Sequence, residues 1–330
     1  MPPSPHLLLT GGAGYIGSIC AHLLSKCGFK ITVLDNLSGG ATTPKIGDFI
    51  LGDVRNSELL ETVFKNHSFD AVLHFAGKIQ VGESVHSPLS YYDNNVIGTI
   101  KLLEAMQRHK VMNLVFSSTA AVYGTPQYLP IDETHPISPL SPYGSTKAIA
   151  EQLIRECSDA YGLNSIILRY FNAAGAIPSV GLGESHVPET HFIPLLILSY
   201  LKAKKPFQVY GNEYNTPDGS CIRDYIHVCD LADAHIQALY ALQNGRKGVH
   251  TYNLGTGHGY SVLEVISHLE AQLECSIPHV IAPPRKGDPP ILVTDFQKAQ
   301  KELQWTPSKD INEILMDAYR YIQRNNSGLK

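Results

Sequence analysis

The sequence of 330 residues lacks several features that would assign it to a protein class directly. No apolar run reaches the roughly 18 residues that a membrane-spanning helix needs, so we expect no membrane span. The six cysteines form neither a C-x-x-C pair nor a metal-ligand spacing, a pattern typical of reduced thiols in a reducing compartment. None of the fifteen histidines forms an H-x-x-x-H pair, and the sequence therefore predicts no metal site.

The start of the chain and its charge exclude further classes. Residues 1–5 are proline-rich and lack the apolar segment of a signal peptide, so we expect a cytoplasmic protein. The 26 basic and 30 acidic residues give a net charge of −4, which provides no reason to expect a nucleic-acid partner. Apolar residues make up 43% of the chain, enough for a large core, and the length suggests about two domains.

The first 35 residues have the pattern of a dinucleotide-binding unit. An apolar run at 6–10 predicts a buried strand, and a helix at 18–26 and a second strand at 30–35 follow. The glycines in between fit both G-x-G-x-x-G and G-x-x-G-x-x-G: Gly11, Gly12, Gly14 and Gly17. Such glycines let the backbone and a helix N-terminus approach a pyrophosphate. Asp35 can accept a hydrogen bond from a ribose 2′-OH and would repel a 2′-phosphate, which predicts NAD rather than NADP.

Strands and helices continue to alternate as far as residue 172. Apolar runs predict further strands at 49–51, 71–75, 113–116 and 164–170, and residues 91–109 have helical periodicity. This alternation predicts an α/β fold with a Rossmann-type doubly wound parallel sheet. Ligands of such sheets bind beyond the carboxyl ends of the strands, where Asp53, Gly77 and Thr119 fall.

Tyr143 and Lys147 lie in the run Ser-Pro-Tyr-Gly-Ser-Thr-Lys at 141–147, which leads into a predicted helix. Because they are four residues apart, they share one helix face. A free phenol, with a pKa near 10, is a poor base at neutral pH, but a nearby ammonium lowers that pKa. The pair is therefore a candidate general acid/base, although most Tyr/Lys pairs at this spacing only lie on a helix surface.

The alternation of strands and helices fails after residue 172. Residues 173–189 are rich in Gly, Pro and Ser and predict a loop into a smaller C-terminal α/β substrate lobe. A strand at 249–254 is predicted to return to the main sheet. The predicted domains are a cofactor domain of residues 1–172 with about 221–256, and a lobe of residues 173–220 and 257–330. Trp305, the only tryptophan, is predicted to pack in the smaller lobe.

Eight short motifs occur in order along nearly the whole chain. They are TGGAGYIG at 10–17, HFAG at 74–77, VGES at 81–84, YYDNN at 91–95, SSTAAVYG at 117–124, SPYG at 141–144, RYFN at 169–172 and RDYIHV at 223–228. Any one could occur by chance, whereas the ordered set is specific. The set resembles the extended short-chain dehydrogenase/reductase family, and within that family the UDP-sugar 4-epimerases are the most similar.

The resemblance implies a bound NAD that is not consumed and a UDP-sugar substrate, with UDP-galactose and UDP-glucose interconverted through a transient 4-keto sugar. Tyr143 would take the proton from the sugar 4′-OH, and Lys147 would lower its pKa and bind the nicotinamide ribose. Thr119 would bridge the sugar oxygen and the phenol; the alternative is a hydroxyl that only caps the strand end. The residues that would line the cofactor are Gly11, Gly14, Tyr15, Ile16, Gly17, Asp35, Asn36, Asp53, Val54, Phe75, Ala76, Gly77, Asn94, Thr119, Tyr143, Lys147 and Phe171.

A diphosphate needs cations, and the planar fork of arginine suits it. The resemblance implies Arg223 and Arg285 at the pyrophosphate and Asp288 at the uridine ribose; without it, the arginines would be ordinary surface ion pairs. Leu292 stands where hexose-restricted enzymes have Tyr, and it either leaves room for an N-acetyl group or is covered by neighbours. The implied substrate residues are Thr119, Tyr143, Asn172, Tyr210, Arg223, Arg285, Asp288 and Leu292.

Two other functions and two details stay open at this point. Sugar-nucleotide dehydratases and decarboxylases need an additional carboxyl group beside Thr119, and Ala120 and Ala121 disfavour them because a methyl group cannot transfer a proton. A non-enzymatic NAD-binding regulator would not need the Tyr/Lys pair. Lys78 is displaced by one residue from the lysine of related chains and contacts either NAD or solvent. The resemblance also implies a homodimer formed through the helices at 91–109 and 143–161.

Overall fold

The computed structural model describes residues 4–39, 43–44, 46–202, 206–285 and 288–326. The strands are β1 His6–Thr10, β2 Lys30–Asp35, β3 Asp48–Leu51, β4 Ala71–His74, β5 Asn113–Thr119, β6 Asn164–Tyr170, β7 Asn172–Ala174, β8 Ala176–Ile177, β9 Leu182–Gly183, β10 Phe207–Tyr210, β11 Ile222–His227, β12 Val249–Leu254, β13 Gly259–Ser261, β14 His279–Ala282 and β15 Ile291–Leu292. The helices are α1 Tyr15–Lys26, α2 Ser57–Asn66, α3 Val81–His86, α4 Pro88–Tyr91, α5 Gly98–Arg108, α6 Pro142–Tyr161, α7 Phe192–Lys202, α8 Val228–Gln243, α9 Val262–Leu273, α10 Gln297–Leu303 and α11 Ile311–Asn326. Among these described helices, none combines the length and the apolar composition that crossing a bilayer requires.

Seven parallel strands form the main sheet in the order β12–β6–β5–β4–β1–β2–β3. Their apolar runs are continuous because helices cover both faces of the sheet, and every residue of β1 and β6 is buried. One apolar cluster joins this sheet to α1 and α8, and a second joins it to α2, α5 and α6. The predicted doubly wound parallel sheet is confirmed.

The order of the strands reverses at β1, which has β2 on one side and β4 on the other. The chain passes from β1 through α1 to β2, while β5, β6 and β12 extend the sheet beyond β4. A crevice at such a switch point is where open α/β sheets bind ligands. The glycine-rich loop after β1 and the ends of β4 and β5 therefore lie at the expected binding edge.

The helix predicted at 91–109 is not a continuous α-helix. After α4, residues Tyr92–Ile97 form a π-helical segment, and α5 begins only at Gly98. The Oδ1 atoms of Asn94 and Asn95 both accept the backbone N–H of Lys78, at 3.1 and 2.8 Å. The wider π turn, a feature often found at functional sites, thus brings two neighbouring side chains to the loop after β4.

Smaller sheets and a separate apolar cluster form the remainder of the described chain. Strand β11 pairs with β13, β15 and β7, and β10 pairs with β14. Apolar side chains of α7, α9 and α11 fill the cluster that packs on these strands. The segment 173–189, predicted as a loop, contains short strands because β7 runs parallel to β11 and β8 pairs with β9.

Two C-terminal segments return to the main sheet. Strand β12 pairs with β6 along its whole length, which confirms the predicted return of residues 249–254. Trp305 packs in the cluster of α1 and α8, and its Nε1–H donates to the carbonyl oxygen of Asp230 at 2.9 Å. The prediction that Trp305 packs in the smaller lobe is therefore wrong, because α10 carries the chain back onto β12 and α8.

Candidate active site

The glycine-rich loop connects β1 to α1 in a tight turn. Gly11 has a φ of +71°, and a Cβ there would lie 2.4 Å from the backbone nitrogen of Ala76. A Cβ on Gly17 would lie 2.4 Å from the carbonyl oxygen of Gly11, so a side chain would push α1 away from the loop. Gly14 supplies no side-chain cap to α1, which leaves the first N–H groups of the helix available to an anion.

Asp35 ends β2 beside this loop. Its Oδ2 accepts the N–H of Ala13 at 3.0 Å, and its Oδ1 accepts the N–H of Leu37 at 2.8 Å. These two bonds fix the direction of the carboxylate. Since each carboxylate oxygen can accept two hydrogen bonds, both keep capacity for a hydroxyl donor.

Asp53 lies in the next loop along the same edge. The side-chain amide of Asn36 donates to Asp53 at 2.8 Å, and Arg55 binds both carboxylate oxygens at 2.8 and 2.7 Å. The Arg55 guanidinium holds the pKa of the Asp53 carboxyl well below its usual range. Asp53 is therefore an ionised acceptor whose position is set by its neighbours.

The loop after β4 closes the centre of the site. The backbone N–H groups of Phe75 and Ala76 donate to the carbonyl oxygen of Thr10 at 2.8 and 2.9 Å. Lys78 follows this loop, and its ammonium lies 3.0 Å from a carboxylate oxygen of Glu83. The lysine is thus paired within the protein at the border of the site.

Helix α6 brings Tyr143 and Lys147 to the carboxyl end of β5. Ser141 caps the helix by accepting a backbone N–H at 3.2 Å, and Pro142 occupies the first turn, where proline is tolerated. Tyr143 is 9% exposed and Lys147 is 4% exposed. The Lys147 ammonium donates to the carbonyl oxygen of Ser117 at 2.9 Å, which fixes its position below the tip of the strand.

Burial moves the pKa values of this pair toward the neutral forms. It lowers the pKa of Lys147 to about 8, and the nearby Glu151 carboxylate opposes that shift. Burial raises the pKa of Tyr143, and hydrogen bonding with Thr119 acts in the opposite direction. Hydrogen bonding with Thr119 therefore favours the phenolate, and the effect of Lys147 on this pKa stays a prediction. The Thr119 hydroxyl also accepts the N–H of Ala121 at 3.1 Å, so it caps the strand end as well.

A single cavity of about 1560 Å³ brings these elements together. Five of the eight predicted substrate residues line it: Thr119, Tyr143, Asn172, Arg223 and Leu292. It is also lined by every residue predicted for the cofactor: Gly11, Gly14, Tyr15, Ile16, Gly17, Asp35, Asn36, Asp53, Val54, Phe75, Ala76, Gly77, Asn94, Thr119, Tyr143, Lys147 and Phe171. The cavity therefore joins the glycine-rich loop to the candidate acid/base.

The other three predicted substrate residues do not belong to the described lining of this cavity. The guanidinium of Arg285 lies 4.1 Å from the centre of the Tyr210 ring, a cation–π contact. Asp288 lies 3.8 Å from the guanidinium of Arg223, which is itself in the lining. The backbone N–H of Asp288 donates to the carbonyl oxygen of Arg285 at 3.3 Å, so all three residues are linked to Arg223 through Asp288.

Several residues of the lining were not predicted, and three of them carry ionisable side chains close to one another: Glu184, His186 and His191. They come from the segment before α7, part of which was predicted to be a loop. The pattern H-x-x-x-H does not include the two histidines because they are five residues apart. A search for the mixed pattern Glu-x-His-x-x-Glu-x-His, at 184–191, would have found them.

The fold and this site together define a dinucleotide-binding enzyme of the extended short-chain dehydrogenase/reductase class. A family profile described as "GDP-mannose 4,6 dehydratase" matches residues 8–318. A UDP-glucose 4-epimerase of Halalkalibacterium halodurans is 47% identical over 94% of this chain and 93% of its own length. That of Rhizobium meliloti is 45% identical over 98% of both chains.

Solved structures agree with these relatives. The UDP-glucose 4-epimerase of Brucella ovis in complex with NAD superposes with a TM-score of 0.93 at 41% identity, covering 97% of this chain and 98% of that one. The enzyme of Bifidobacterium longum in complex with NAD+ and UDP gives a TM-score of 0.92 at 40% identity, covering 98% and 99%. The chain belongs to the extended short-chain dehydrogenase/reductase family, in the group of the UDP-glucose 4-epimerases.

Proposed function

We propose that this chain is an NAD-dependent 4-epimerase that interconverts UDP-galactose and UDP-glucose through a transient 4-keto sugar. One observation carries the proposal: Tyr143, Lys147 and Thr119 line the same cavity as the glycine-rich loop. A dinucleotide on that loop and a sugar at the phenol can then meet in one place, which converts the transfer between them into an intramolecular step.

The residues of the loop fit NAD. Gly11 and Gly17 stand where a Cβ would collide with backbone, and the N-terminus of α1 faces the cavity for a pyrophosphate. The fixed carboxylate of Asp35 accepts ribose hydroxyls and would repel a 2′-phosphate. When bound, NAD supplies the acceptor and then the donor for the hydride of the sugar carbon.

Tyr143 moves the proton at the reacting oxygen. As phenolate it accepts the proton of the sugar 4′-OH, and it returns that proton when the ketone is reduced on its opposite face. The hydroxyl of Thr119 favours the phenolate by hydrogen bonding. Lys147, held by the carbonyl oxygen of Ser117, keeps two further N–H groups for the nicotinamide ribose.

We assign the diphosphate of the substrate to Arg223 and Arg285. Arg223 lines the cavity with its side chain 12% exposed, and the guanidinium of Arg285 lies over the Tyr210 ring. Asp288, close to Arg223, is assigned to the uridine ribose, and Asn172 to the sugar or its phosphate. In this proposal, residues 1–172 with about 221–256 hold the cofactor, and residues 173–220 with most of 257–330 hold the UDP-sugar.

A dehydratase is the alternative, because the matching family profile carries a dehydratase description. That reaction also works at carbon 5 of the sugar and needs a carboxyl group there. The cavity wall next to Thr119 consists of Ala120 and Ala121, neither of which can transfer a proton. The epimerase reaction, which oxidises and reduces one carbon, needs no such group.

We also propose a homodimer, formed through the faces of α3 to α6. Large apolar side chains are exposed there: Val85 at 58%, Leu89 at 83%, Ile97 at 42% and Ile149 at 38%. An apolar surface of this kind is typical of an interface, and a second copy of the chain would cover it. A cytoplasmic location is proposed as well, and it agrees with the free state of all six cysteines.

The test is Tyr143→Phe. Purified protein without added NAD is mixed with UDP-galactose, and the anomeric proton signals are followed by NMR. We expect conversion to UDP-glucose by the wild type and a loss of at least about 100-fold in Tyr143→Phe, the usual scale of acid/base catalysis. NAD content should be unchanged. Tyr240→Phe, an exposed tyrosine of α8, is the control and should keep full activity.

Three results would contradict the proposal. Substantial activity in Tyr143→Phe would remove the assigned role of the phenol while leaving an epimerase. A 4-keto-6-deoxy product or released CO2 from the wild type would instead establish the dehydratase or decarboxylase reaction. A protein that binds NAD and converts no nucleotide sugar would support a regulator.

A further inference from the structure

Four side chains of the segment before α7 converge at the border of the cavity. They are Glu184, His186, Glu189 and His191, here called the His/Glu cluster. One ligand atom from each lies within 4.8 Å of those of the other three. Three of the four residues also line the cavity. None of its four residues is among those to which catalytic or binding roles are assigned above.

Among the described residues, no lysine or arginine balances the carboxylates of the His/Glu cluster. Glu184 is only 8% exposed, and the side chain of Glu189 is 11% exposed. Within the described ranges, no arginine or lysine forms an ion pair with either carboxylate; only the two imidazoles do. The two carboxylates carry a charge of −2, and buried charges of this kind are normally paired or bound to a metal.

One nitrogen of the cluster also has no hydrogen-bond partner. Nδ1 of His186 is buried, and although it lies 3.2 Å from Oε1 of Glu184, it makes no hydrogen bond. An imidazole nitrogen that is withheld from solvent and from donors is a suitable metal ligand. By contrast, Glu189 is held in place, because its Oε1 accepts the N–H groups of Thr190 and His191 at 2.8 and 2.9 Å.

The distances in the cluster suit a small tetrahedral ion. Bonds of about 2.0–2.1 Å from Zn²⁺ to nitrogen and oxygen place neighbouring ligands of a tetrahedron roughly 3.3 Å apart. The separations are 3.2 Å from His186 to Glu184, 3.6 Å from His191 to Glu189 and 3.9 Å from His186 to Glu189. Glu184 and His191 are in hydrogen-bond contact, and their side chains would have to separate by roughly 1 Å for a tetrahedral ion to enter.

We propose that the His/Glu cluster is a structural Zn²⁺ site, contrary to the absence of a metal predicted from the sequence. Four protein ligands close the coordination sphere, as in structural rather than catalytic zinc sites. The ion fixes the segment 184–191, whose Pro188 carbonyl is reached by the side chain of Gln80 from the loop after β4. Zn²⁺ thereby holds the wall of the cavity that faces the cofactor loop.

The experiment measures zinc binding directly. The full chain is treated with chelator, dialysed, supplied with ZnCl2 and passed through a desalting column, and the zinc content is measured by mass spectrometry. We expect about one Zn²⁺ per chain, a rise in the melting temperature over the chelated protein, and with Co²⁺ the visible absorption of a tetrahedral complex. His186→Ala should weaken zinc binding at least about tenfold, since even indirect ligand supports contribute that much.

Matched variants distinguish the loss of a zinc-binding side chain from misfolding of the protein. Glu189→Gln removes the charge of one ligand with little change in side-chain shape, and it should also lower zinc binding. It provides the test if His186→Ala does not fold. His258→Ala, an exposed histidine outside the cluster, should bind zinc as the wild type does. Three results would overturn the proposal: a zinc content far below one per chain, an unchanged zinc content in both cluster variants, or a melting temperature that zinc does not raise. Each would favour protonated histidines that form ion pairs with the two carboxylates.

Discussion

Glu151 of α6 and Arg169 of β6 form a two-point ion pair in which each side chain is only 4% exposed. The guanidinium binds the two carboxylate oxygens at 2.9 and 2.5 Å, and the hydroxyl of Ser118 adds a third bond at 2.6 Å. This pair connects the helix of Tyr143 and Lys147 to the strands beneath it. It therefore sets the distance between the acid/base pair and the edge of the sheet.

Replacing Glu151 with Ala should lower the free energy of unfolding by about 3–5 kcal/mol, because Arg169 is left as an unpaired buried charge. Urea denaturation of the variant and the wild type measures the difference. Glu156→Ala is the matched control on the same helix, since Glu156 is exposed and its loss should cost less than about 1 kcal/mol. A loss below about 1 kcal/mol in Glu151→Ala would show that the pair does not stabilise this contact.

Replacing Thr119 with Val should lower kcat by about 10- to 100-fold, since a hydrogen bond to a charged group contributes roughly 1.5–3 kcal/mol. Thr119 lowers the pKa of Tyr143, so the rise of kcat with pH should also move to higher pH in the variant. Steady-state rates with UDP-galactose across a pH series provide both values. Thr119→Ser keeps the hydroxyl and should behave nearly as the wild type; equal losses in the two variants would contradict the role of the hydroxyl.

Acid should destabilise the protein through two buried neutral histidines. Burial lowers the pKa of His74 to about 3 and that of His235 to about 4. Between these values and the ordinary pKa of 6.5, the unfolded chain binds protons that the folded chain does not, so stability falls as the pH falls. At pH 5, His74 alone should account for a loss of about 2 kcal/mol relative to pH 7.

The matched variant for this effect is His74→Gln, which cannot titrate. Its free energy of unfolding, measured in urea at pH 7 and pH 5, should fall by about 2 kcal/mol less than that of the wild type. The substitution also alters the hydrogen bonds that the His74 ring makes with the hydroxyls of Thr10 and Thr99. The quantity to compare is therefore the change in the free energy of unfolding between pH 7 and pH 5, not its absolute value. The same pH difference in both proteins would exclude His74 as the titrating group.

Replacing Leu292 with Tyr should narrow the range of substrates. Leu292 pairs with Arg223 in neighbouring strands and lines the cavity, and it also packs against a small cluster that includes Phe171. A larger ring there should lower kcat/KM for UDP-N-acetylgalactosamine by about tenfold or more, with a smaller change for UDP-galactose. Leu292→Met, similar in volume, is the control. Equal losses for the two substrates would show that Leu292 does not face the N-acetyl position.

The local features of the fold could be predicted because each depends on residues close in the sequence. The apolar runs of β1 and β6 identify buried strands, and the glycines at 11 and 17 identify a turn that tolerates no side chain. Contacts between distant residues could not be predicted in this way. Trp305 illustrates this, because its site depends on where α10 returns in space, and no local pattern encodes that.

The same distinction applies to the candidate site. The types of its chemical groups, such as the phenol of Tyr143, the ammonium of Lys147 and the carboxylate of Asp35, were determined by the sequence itself. Their order along a β/α chain also determined that they would meet at the carboxyl edge of one sheet.

Only the tertiary structure decided the properties of these groups, because burial and hydrogen-bond geometry depend on residues far apart in the chain. Burial raises the pKa of Tyr143, the Thr119 hydroxyl opposes that rise, and Glu151 opposes the effect of burial on Lys147. The convergence of the His/Glu cluster was decided in the same way, because spacing in the sequence gives no distance between side chains until the backbone has turned.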